Sequence, residues 1–181
     1  MDRATALLSV AVGVVAIASA IALAVFFIAG GPFGTINDVL NGVLAVLSGY
    51  LAWRLSGRTT FVYMALVGEV IAIIGSILVI FDATGFFLAG LVSTVGFALI
   101  GVWLLAYCWT LSDVSPVRWL GLIAGALMVM GVVVLPGIVM RLDDFDKAPP
   151  WIWVGFVSWL GIYLAYPAWS VWFGLTNQPS R

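Results

Sequence analysis

Charged residues are scarce in this sequence: Asp, Glu, Lys and Arg make up 8% of its 181 residues. A soluble domain carries about 25% charged residues. Hydrophobic residues reach 64%, so polar side chains are too few to cover a water-soluble globule. The composition therefore excludes a soluble domain.

Histidine is absent, and Cys108 is the single cysteine. One cysteine excludes an intramolecular disulfide, and no CxxC or Cys/His grouping is present to hold a structural metal. An intramembrane hydrolase would lack a histidine base, and no aspartates are paired in facing spans. We therefore expect no enzyme activity, no metal site and no cofactor.

Basic residues are also few, and none of the seven Lys and Arg residues belongs to a basic run. The electrostatic footprint of a nucleic-acid binder is therefore missing. The one charged loop carries Asp143, Asp144 and Asp146, but it lacks the glycine and the closing glutamate of an EF-hand. Nucleic acid and an EF-hand calcium loop are both excluded.

Long apolar runs dominate the chain. Each is about twice the 9 to 11 residues of a membrane barrel strand, and none alternates with period two. The first run is too long for a signal-peptide core, so we expect it to be retained. The sequence predicts an all-α membrane helix bundle, a single integral domain over 1–181 in contact with the lipid bilayer. Its six predicted transmembrane helices cover about 4–29, 36–55, 60–81, 86–111, 117–140 and 151–175.

Lysine and arginine are unevenly distributed between the two sides of the membrane that the six predicted helices define. Five fall on the side of both termini and two on the other side, which predicts that both termini are cytoplasmic and that the protein lies in the cell membrane. The five are Arg3, Arg54, Arg58, Arg118 and Arg181, and the two are Arg141 and Lys147. The opposite side collects Asp38, Asp82, Asp143, Asp144 and Asp146.

A lone glutamate, Glu69, interrupts the apolar run "MALVGEVIAII" near the middle of the third predicted span. Insertion of an acidic side chain at this depth costs roughly 2.5 to 3.5 kcal/mol, so such a residue normally faces inward and has a partner. No basic residue lies within reach. We therefore expect a neutral carboxyl, hydrogen-bonded to a hydroxyl such as those of Tyr163, Tyr166, Tyr107 or Ser93.

Two interpretations of Glu69 compete. A carboxyl in this setting can carry a proton or bind a cation, but it can also simply hold helices together. A partner subunit that supplies a counter-charge is a third possibility. We predict Glu69, Tyr163, Tyr166 and Ser76 as the candidate proton-binding or substrate-binding residues.

Aromatic residues share one face of the sixth span. Trp159, Tyr163 and Tyr166 are spaced by four and then three residues, which places them on one side of a helix. Pro167 follows and frees the carbonyl group of Tyr163 from its helical hydrogen bond. The pattern indicates a structural kink or, as the second alternative, a cavity wall, and Pro136 in the fifth span is interpreted in the same way.

A second polar cluster lies at the start of the second span. Asn37 and Asn41 are one turn apart, with Thr35 and Asp38 nearby. Thr35 and Asn37 are candidate N-caps, with Asp38 in the first turn. The cluster of Asn37, Asp38 and Asn41 is either the outer mouth of a path towards Glu69 or, as the pattern favours, capping with the amides turned to headgroups or water.

Small residues recur at helical spacing in several spans. Membrane helices associate through such positions. Ordinary packing within the chain is the favoured interpretation, and self-association or a partner membrane subunit is the alternative. The main sets are Gly68, Ala72 and Ser76 in the third span and Gly121 with Gly125 in the fifth.

The sequence thus favours a small transporter or channel-like protein whose intramembrane carboxyl, Glu69, binds a proton or a cation. The alternative is a non-catalytic subunit or assembly factor of a larger membrane complex. A small water-filled path at Glu69 is expected in the first case, and contact with another chain in the second.

Overall fold

The computed structural model describes residues 1–112 and 115–178. Within these ranges all regular secondary structure is helical, which confirms the predicted all-helical fold. Six helices are long and apolar enough to cross a membrane, and their ends differ from the predicted ones by at most three residues. They are α1 (Arg3–Ala29), α2 (Phe33–Ser56), α3 (Thr60–Ile80), α4 (Phe86–Thr110), α5 (Pro116–Val139) and α6 (Ile152–Thr176). Arg181, which was counted for the orientation, lies outside the described residues.

Helices α5 and α6 are irregular close to their prolines. A 3₁₀ turn at Met130–Val134 precedes Pro136, and a π-helical turn at Gly161–Ala165 precedes Pro167. Proline lacks an N–H group and its ring clashes with the preceding turn, so the helix changes its winding there. Both helices are thus irregular at the prolines, where the sequence predicts a kink or, as the alternative, a cavity wall.

The beginning of α2 differs from the expectation. The helix begins at Phe33 with Pro32 as its N-cap, and no side chain caps it. The predicted N-cap roles of Thr35 and Asn37 are therefore wrong, and Asp38 lies in the second turn. The physical reason is that Pro32 supplies a φ close to the helical value, so the helix starts one turn earlier than the capping residues suggest.

Consecutive helices pack side by side, and α6 closes the bundle by contacting both α1 and α5. The core between them contains the fully buried side chains of Trp103, Tyr166 and Trp169. Backbones approach closely where glycines meet. A Cβ atom on Gly68 would collide with the carbonyl oxygen of Gly96, and one on Gly125 would lie 2.9 Å from the carbonyl oxygen of Gly101.

The small-residue faces of α3 and α5 are thus occupied within the chain. Gly68 and Ala72 meet α4 at Gly96, and Gly121 packs against Cys108 and Trp169. A partner subunit would have to use another surface.

The two ends of the bundle differ in charge. The aspartate-rich end comprises the connections 30–32, 81–85 and 140–151, and the arginine-rich end comprises residues 1–3, 54–59, 111–112 and 115–118. At the aspartate-rich end, Asp143 accepts hydrogen bonds from the N–H groups of Gly85 (2.7 Å) and Leu88 (3.2 Å), so it caps α4. At the arginine-rich end, Arg54 forms an ion pair with Asp2 at 2.7 Å.

Candidate functional site: a polar cavity at the aspartate-rich end

Four helices enclose a small polar cavity near the aspartate-rich end, which we name the aspartate-end cavity. Its volume of about 20 Å³ is close to the space that one water molecule needs. Side chains of α1, α2, α4 and α6 line it. They are Leu23, Asn37, Asp38, Asn41, Phe86, Gly90, Ser93, Thr94, Phe97, Trp159, Ile162 and Tyr163.

Asn37 and Asn41 form a hydrogen-bonded network with α1 and α6. The amide of Asn37 donates to the Ser19 hydroxyl at 2.8 Å, and that hydroxyl donates to Oδ1 of Asn41 at 2.8 Å. The amide of Asn41 donates to Oδ1 of Asn37 at 3.2 Å and to the Tyr163 hydroxyl at 3.1 Å. The two asparagines are 2% and 6% exposed. They point into the bundle, so the prediction that they are turned to headgroups or water is wrong.

The α4 wall of the cavity is fixed in a similar way. The indole of Trp159 donates to the Thr94 hydroxyl at 3.2 Å, and that hydroxyl donates to the carbonyl oxygen of Gly90 at 2.7 Å. Ser93 donates across to the carbonyl oxygen of Ala72 on α3 at 3.3 Å. Because these donors are already used, the hydroxyl oxygens keep lone pairs for a ligand in the cavity.

Among the described residues, Asp38 is the only one with an acidic or basic side chain that lines the aspartate-end cavity. It is 7% exposed, and its buried Oδ2 atom has no hydrogen-bond partner among the described residues. A buried carboxyl oxygen without a hydrogen-bond partner is energetically unfavourable. Such an atom in a protein is normally protonated, or it binds a cation or a water molecule. The Asp38 carboxyl is therefore the group of the cavity that most needs a ligand.

Tyr163 and Tyr166 have separate partners although they share one helix. Tyr163 donates to Oδ1 of Asn41 at 3.3 Å and lines the cavity. Tyr166 is fully buried and donates to Ser48 on α2 at 3.0 Å. The structure therefore places Tyr163 at the cavity and Tyr166 in the packed core away from it.

Glu69 lies apart from the cavity. It is half-buried between α2 and α3, where its carboxyl group rests directly on Gly49. The predicted hydrogen bond from a hydroxyl is wrong, because Tyr163, Tyr166 and Ser93 donate to other groups and none of the described side chains bonds to Glu69. The reason is the rotation of α3, which turns Gly68 towards α4 and Glu69 towards α2.

Ser76 does not join Glu69 either. It is 4% exposed, and its Oγ lies 3.6 Å from the position of a Cβ atom on Gly42. Its hydroxyl oxygen has no hydrogen-bond partner among the described residues. Glu69 and Ser76 are seven residues apart, which is about 10 Å along a helix.

The donor set of the aspartate-end cavity restricts its ligands. One carboxyl is combined with neutral amide and hydroxyl oxygens, and the described part of the chain holds no group of three His, Cys, Asp or Glu side chains. Oxygen ligands of this kind suit a proton, a water molecule or a hard cation rather than a transition metal. The small volume favours a ligand no larger than a single water.

Sequence reasoning missed the contribution of Ser19 and Thr94 to this site. Both are isolated hydroxyl residues in apolar helices, and a hydroxyl can satisfy itself on its own helix, as Thr94 does on Gly90. The available signal was that Ser19 lies in the second half of α1, which runs antiparallel to the first half of α2, where Asn37 lies.

Comparison with protein-family models, with curated proteins and with solved structures gives no match to this chain.

Proposed function

We propose that this protein is a small multi-pass transporter of the cell membrane that binds a proton or a small monovalent cation at Asp38. The observation that carries the proposal is the buried Oδ2 atom of Asp38, which has no hydrogen-bond partner among the described residues and lies in a cavity lined by neutral amide and hydroxyl groups together with apolar side chains. Intramembrane carboxyl groups of this kind mark ion and proton pathways. The proposal moves the functional carboxyl from Glu69 to Asp38.

Several features support this assignment. Asn41 is held in place by hydrogen bonds with Ser19 and Asn37, and Tyr163 by its hydrogen bonds with Asn41, so their oxygen atoms are fixed before a ligand binds. Such preorganisation lowers the cost of binding. Tyr163 belongs to the irregular π-helical turn Gly161–Ala165, and turns of this type are frequent at functional sites.

The orientation is part of the proposal. The excess of arginine at one end of the bundle supports a cytoplasmic position for that end and for both termini. The aspartate-end cavity then faces the outside, where its ligand would enter first.

Ion flux into proteoliposomes tests the proposal. The purified protein is reconstituted, and an internal pH dye and ion-selective dyes record flux with Na⁺, with K⁺ or with a proton gradient alone. The variants are Asp38→Asn, which keeps the size of the side chain, and Glu69→Gln as the matched carboxyl control.

We expect flux in the native protein, loss of at least about tenfold in Asp38→Asn, and less than about twofold change in Glu69→Gln; tenfold corresponds to about 1.4 kcal/mol. Dependence on one cation would identify it, and flux under the proton gradient alone would identify the proton. Unchanged flux in Asp38→Asn, or loss only in Glu69→Gln, would contradict the assignment.

A second candidate function is a non-catalytic subunit of a larger membrane complex. Glu69 favours it, because a half-buried carboxyl deep in an apolar helix has no hydrogen-bond partner within the described chain. A neighbouring subunit with a basic or hydroxyl side chain at the same depth would satisfy it.

Native mass spectrometry after extraction in a mild detergent tests this candidate. We expect a complex of defined stoichiometry that survives Glu69→Gln, which can still form hydrogen bonds, and dissociates in Glu69→Leu. A protein that is monomeric in every detergent and shows ion flux by itself would exclude the subunit role.

A further inference from the structure

A groove runs along the outer surface of the bundle between α2 and α3, and we name it the α2–α3 groove. Its volume is about 370 Å³, and its walls are almost entirely apolar. Val43, Val46 and Ile77 form its rim and are 41%, 47% and 46% exposed. Because this surface would face the hydrocarbon of the bilayer, lipid-like molecules have direct access to it.

Two polar side chains also line this groove. Asp38 and Ser76 are 7% and 4% exposed, and Oδ2 of Asp38 and Oγ of Ser76 have no hydrogen-bond partner among the described residues. Unpaired polar atoms next to hydrocarbon are costly. A ligand that supplies hydrogen-bond donors at this point would remove the cost for both groups at once.

The polar and apolar parts of the groove are separated along the helices. Asp38 lies in the second turn of α2 and Ser76 in the last turns of α3, so both are close to the aspartate-rich end. The wall continues away from that end to Val46, eight residues and about 12 Å beyond Asp38. A molecule that fits has a polar head near the membrane boundary and an apolar chain below it.

The charge of the groove selects the head group. Of the described residues that line it, Asp38 is the only ionisable one, and none is a lysine or arginine that could attract a phosphate or sulfate. An ammonium group carries up to three donors and a positive charge, so it can bind the carboxylate and the Ser76 oxygen together. A neutral alcohol offers one donor and no charge.

We propose that the α2–α3 groove binds a single-chain amphiphile with a primary ammonium head group, taken up laterally from the bilayer, with the ammonium between Asp38 and Ser76. Asp38 lines both this groove and the aspartate-end cavity. The bound amphiphile and the cavity ligand therefore compete for one carboxyl. The binding proposal itself does not depend on transport.

Photolabelling in phosphatidylcholine vesicles tests the proposal. The probe is a long-chain primary amine with a diazirine in its chain, and the two comparison probes are the alcohol and the sulfate of the same chain length. Labelled peptides are located by mass spectrometry. Val43→Trp fills the groove without touching either polar group, and Ile17→Trp is the matched control, because Ile17 is similarly exposed (44%) but lies on α1.

The amine is expected to label α2 and α3 at the groove about tenfold more than the alcohol or the sulfate, equivalent to about 1.4 kcal/mol. Asp38→Asn and Val43→Trp should each remove this preference, and Ile17→Trp should keep it. Equal labelling by amine and alcohol would mean ordinary boundary lipid and would overturn the proposal. Preferential labelling by the sulfate, or unchanged amine labelling in Val43→Trp, would overturn it as well.

The outcome is separable from that of the proposed ion transport. Val43→Trp leaves the Asp38 carboxyl in place, so loss of amine labelling together with intact ion flux shows that ion flux does not require an occupied groove. Loss of flux in Asp38→Asn without any amine preference in the native protein would reject the groove and keep the transporter.

Discussion

At the scale of single residues, Asn41 organises the cavity, because it joins α1, α2 and α6 through Ser19, Asn37 and Tyr163. Replacing Asn41 by leucine keeps its approximate volume but leaves several buried donors and acceptors without partners. We expect Asn41→Leu to lower the free energy of unfolding by about 1–3 kcal/mol. Tyr163→Phe, which removes only the hydroxyl, should cost about 0.5–1.5 kcal/mol.

Unfolding in detergent, followed by circular dichroism against added denaturant, measures both changes. If Tyr163→Phe costs as much as Asn41→Leu, the network does not centre on the asparagine.

Glycine positions give a second prediction at this scale. A Cβ atom on Gly68 would strike the backbone oxygen of Gly96, whereas one on Gly90 meets no atom within 4 Å. Gly68→Ala should therefore destabilise the protein by about 1–3 kcal/mol through overpacking. Gly90→Ala should be neutral or stabilise it by up to about 1 kcal/mol, because alanine favours the helix. Thermal unfolding of the two matched variants checks this, and equal midpoints would show that the α3–α4 contact is looser than described.

The candidate residues that the structure places at the aspartate-end cavity are those with regular spacing. Asn37, Asn41 and Tyr163 were found as candidates because a turn-length interval and a shared helical face can be read from the chain. The setting of Glu69 could not be read in this way. Helix α3 carries apolar residues on every face, so the sequence does not specify which face contacts α2 and which contacts α4. A buried acidic side chain prefers a partner, but this preference does not identify the partner residue.

At the scale of secondary structure elements, α4 depends on a cap from a distant loop. Gly85 precedes the helix and has no side chain, and Asp143 accepts the free N–H groups instead. We expect Asp143→Ala to destabilise the protein by about 0.5–2 kcal/mol, the usual cost of losing an N-cap. Asp146→Ala in the same loop is the matched control and should change the unfolding midpoint far less. Equal effects of the two variants would contradict the capping role.

Helix α1 gives a prediction about pH. The N–H group of Thr5 donates to the Asp2 carboxylate, and with the Arg54 guanidinium it holds the pKa of Asp2 below its ordinary value of 3.8. A carboxyl group whose pKa is lowered in the folded state stabilises the protein at pH values above its ordinary pKa. This contribution to stability disappears as the pH falls through the lowered pKa. Asp2→Asn should therefore lower the thermal midpoint at neutral pH and make no difference at strongly acidic pH.

Scanning the midpoint of native protein and Asp2→Asn from neutral to acidic pH measures this difference. Asp82→Asn, at the opposite end of the bundle and without an ion pair among the described residues, is the control. A difference for Asp2→Asn that persists in acid would mean that the carboxylate charge is not responsible.

Element boundaries were largely predictable, because glycine, proline and polar turns separate long apolar runs. The exceptions have local causes. Pro32 starts α2 one turn before the polar residues that were expected to cap it, and Pro167 indicates an irregularity in α6 without specifying that it takes the form of a π-helical turn.

At the scale of the whole molecule, the packing order explains why one carboxyl lies in a cavity and the other is half-buried between two helices. Helix α2 contacts both α1 and α3. Asp38 lines both the aspartate-end cavity and the α2–α3 groove, whereas the carboxyl group of Glu69 rests on Gly49 where α3 contacts α2. Composition was sufficient to predict six apolar helices, but the position of each carboxyl depends on how these helices rotate against one another.

Cysteine accessibility in intact membranes tests the central claim most directly. In a Cys108→Ser background, Asp38→Cys and Glu69→Cys are exposed separately to a small water-soluble thiol reagent that does not cross the membrane. The account predicts that position 38 reacts from the side of the aspartate-rich end, because transport requires the cavity to open to water, and that position 69 does not react. Rapid reaction at position 69 with none at position 38 would contradict the account and return Glu69 to the centre of the function.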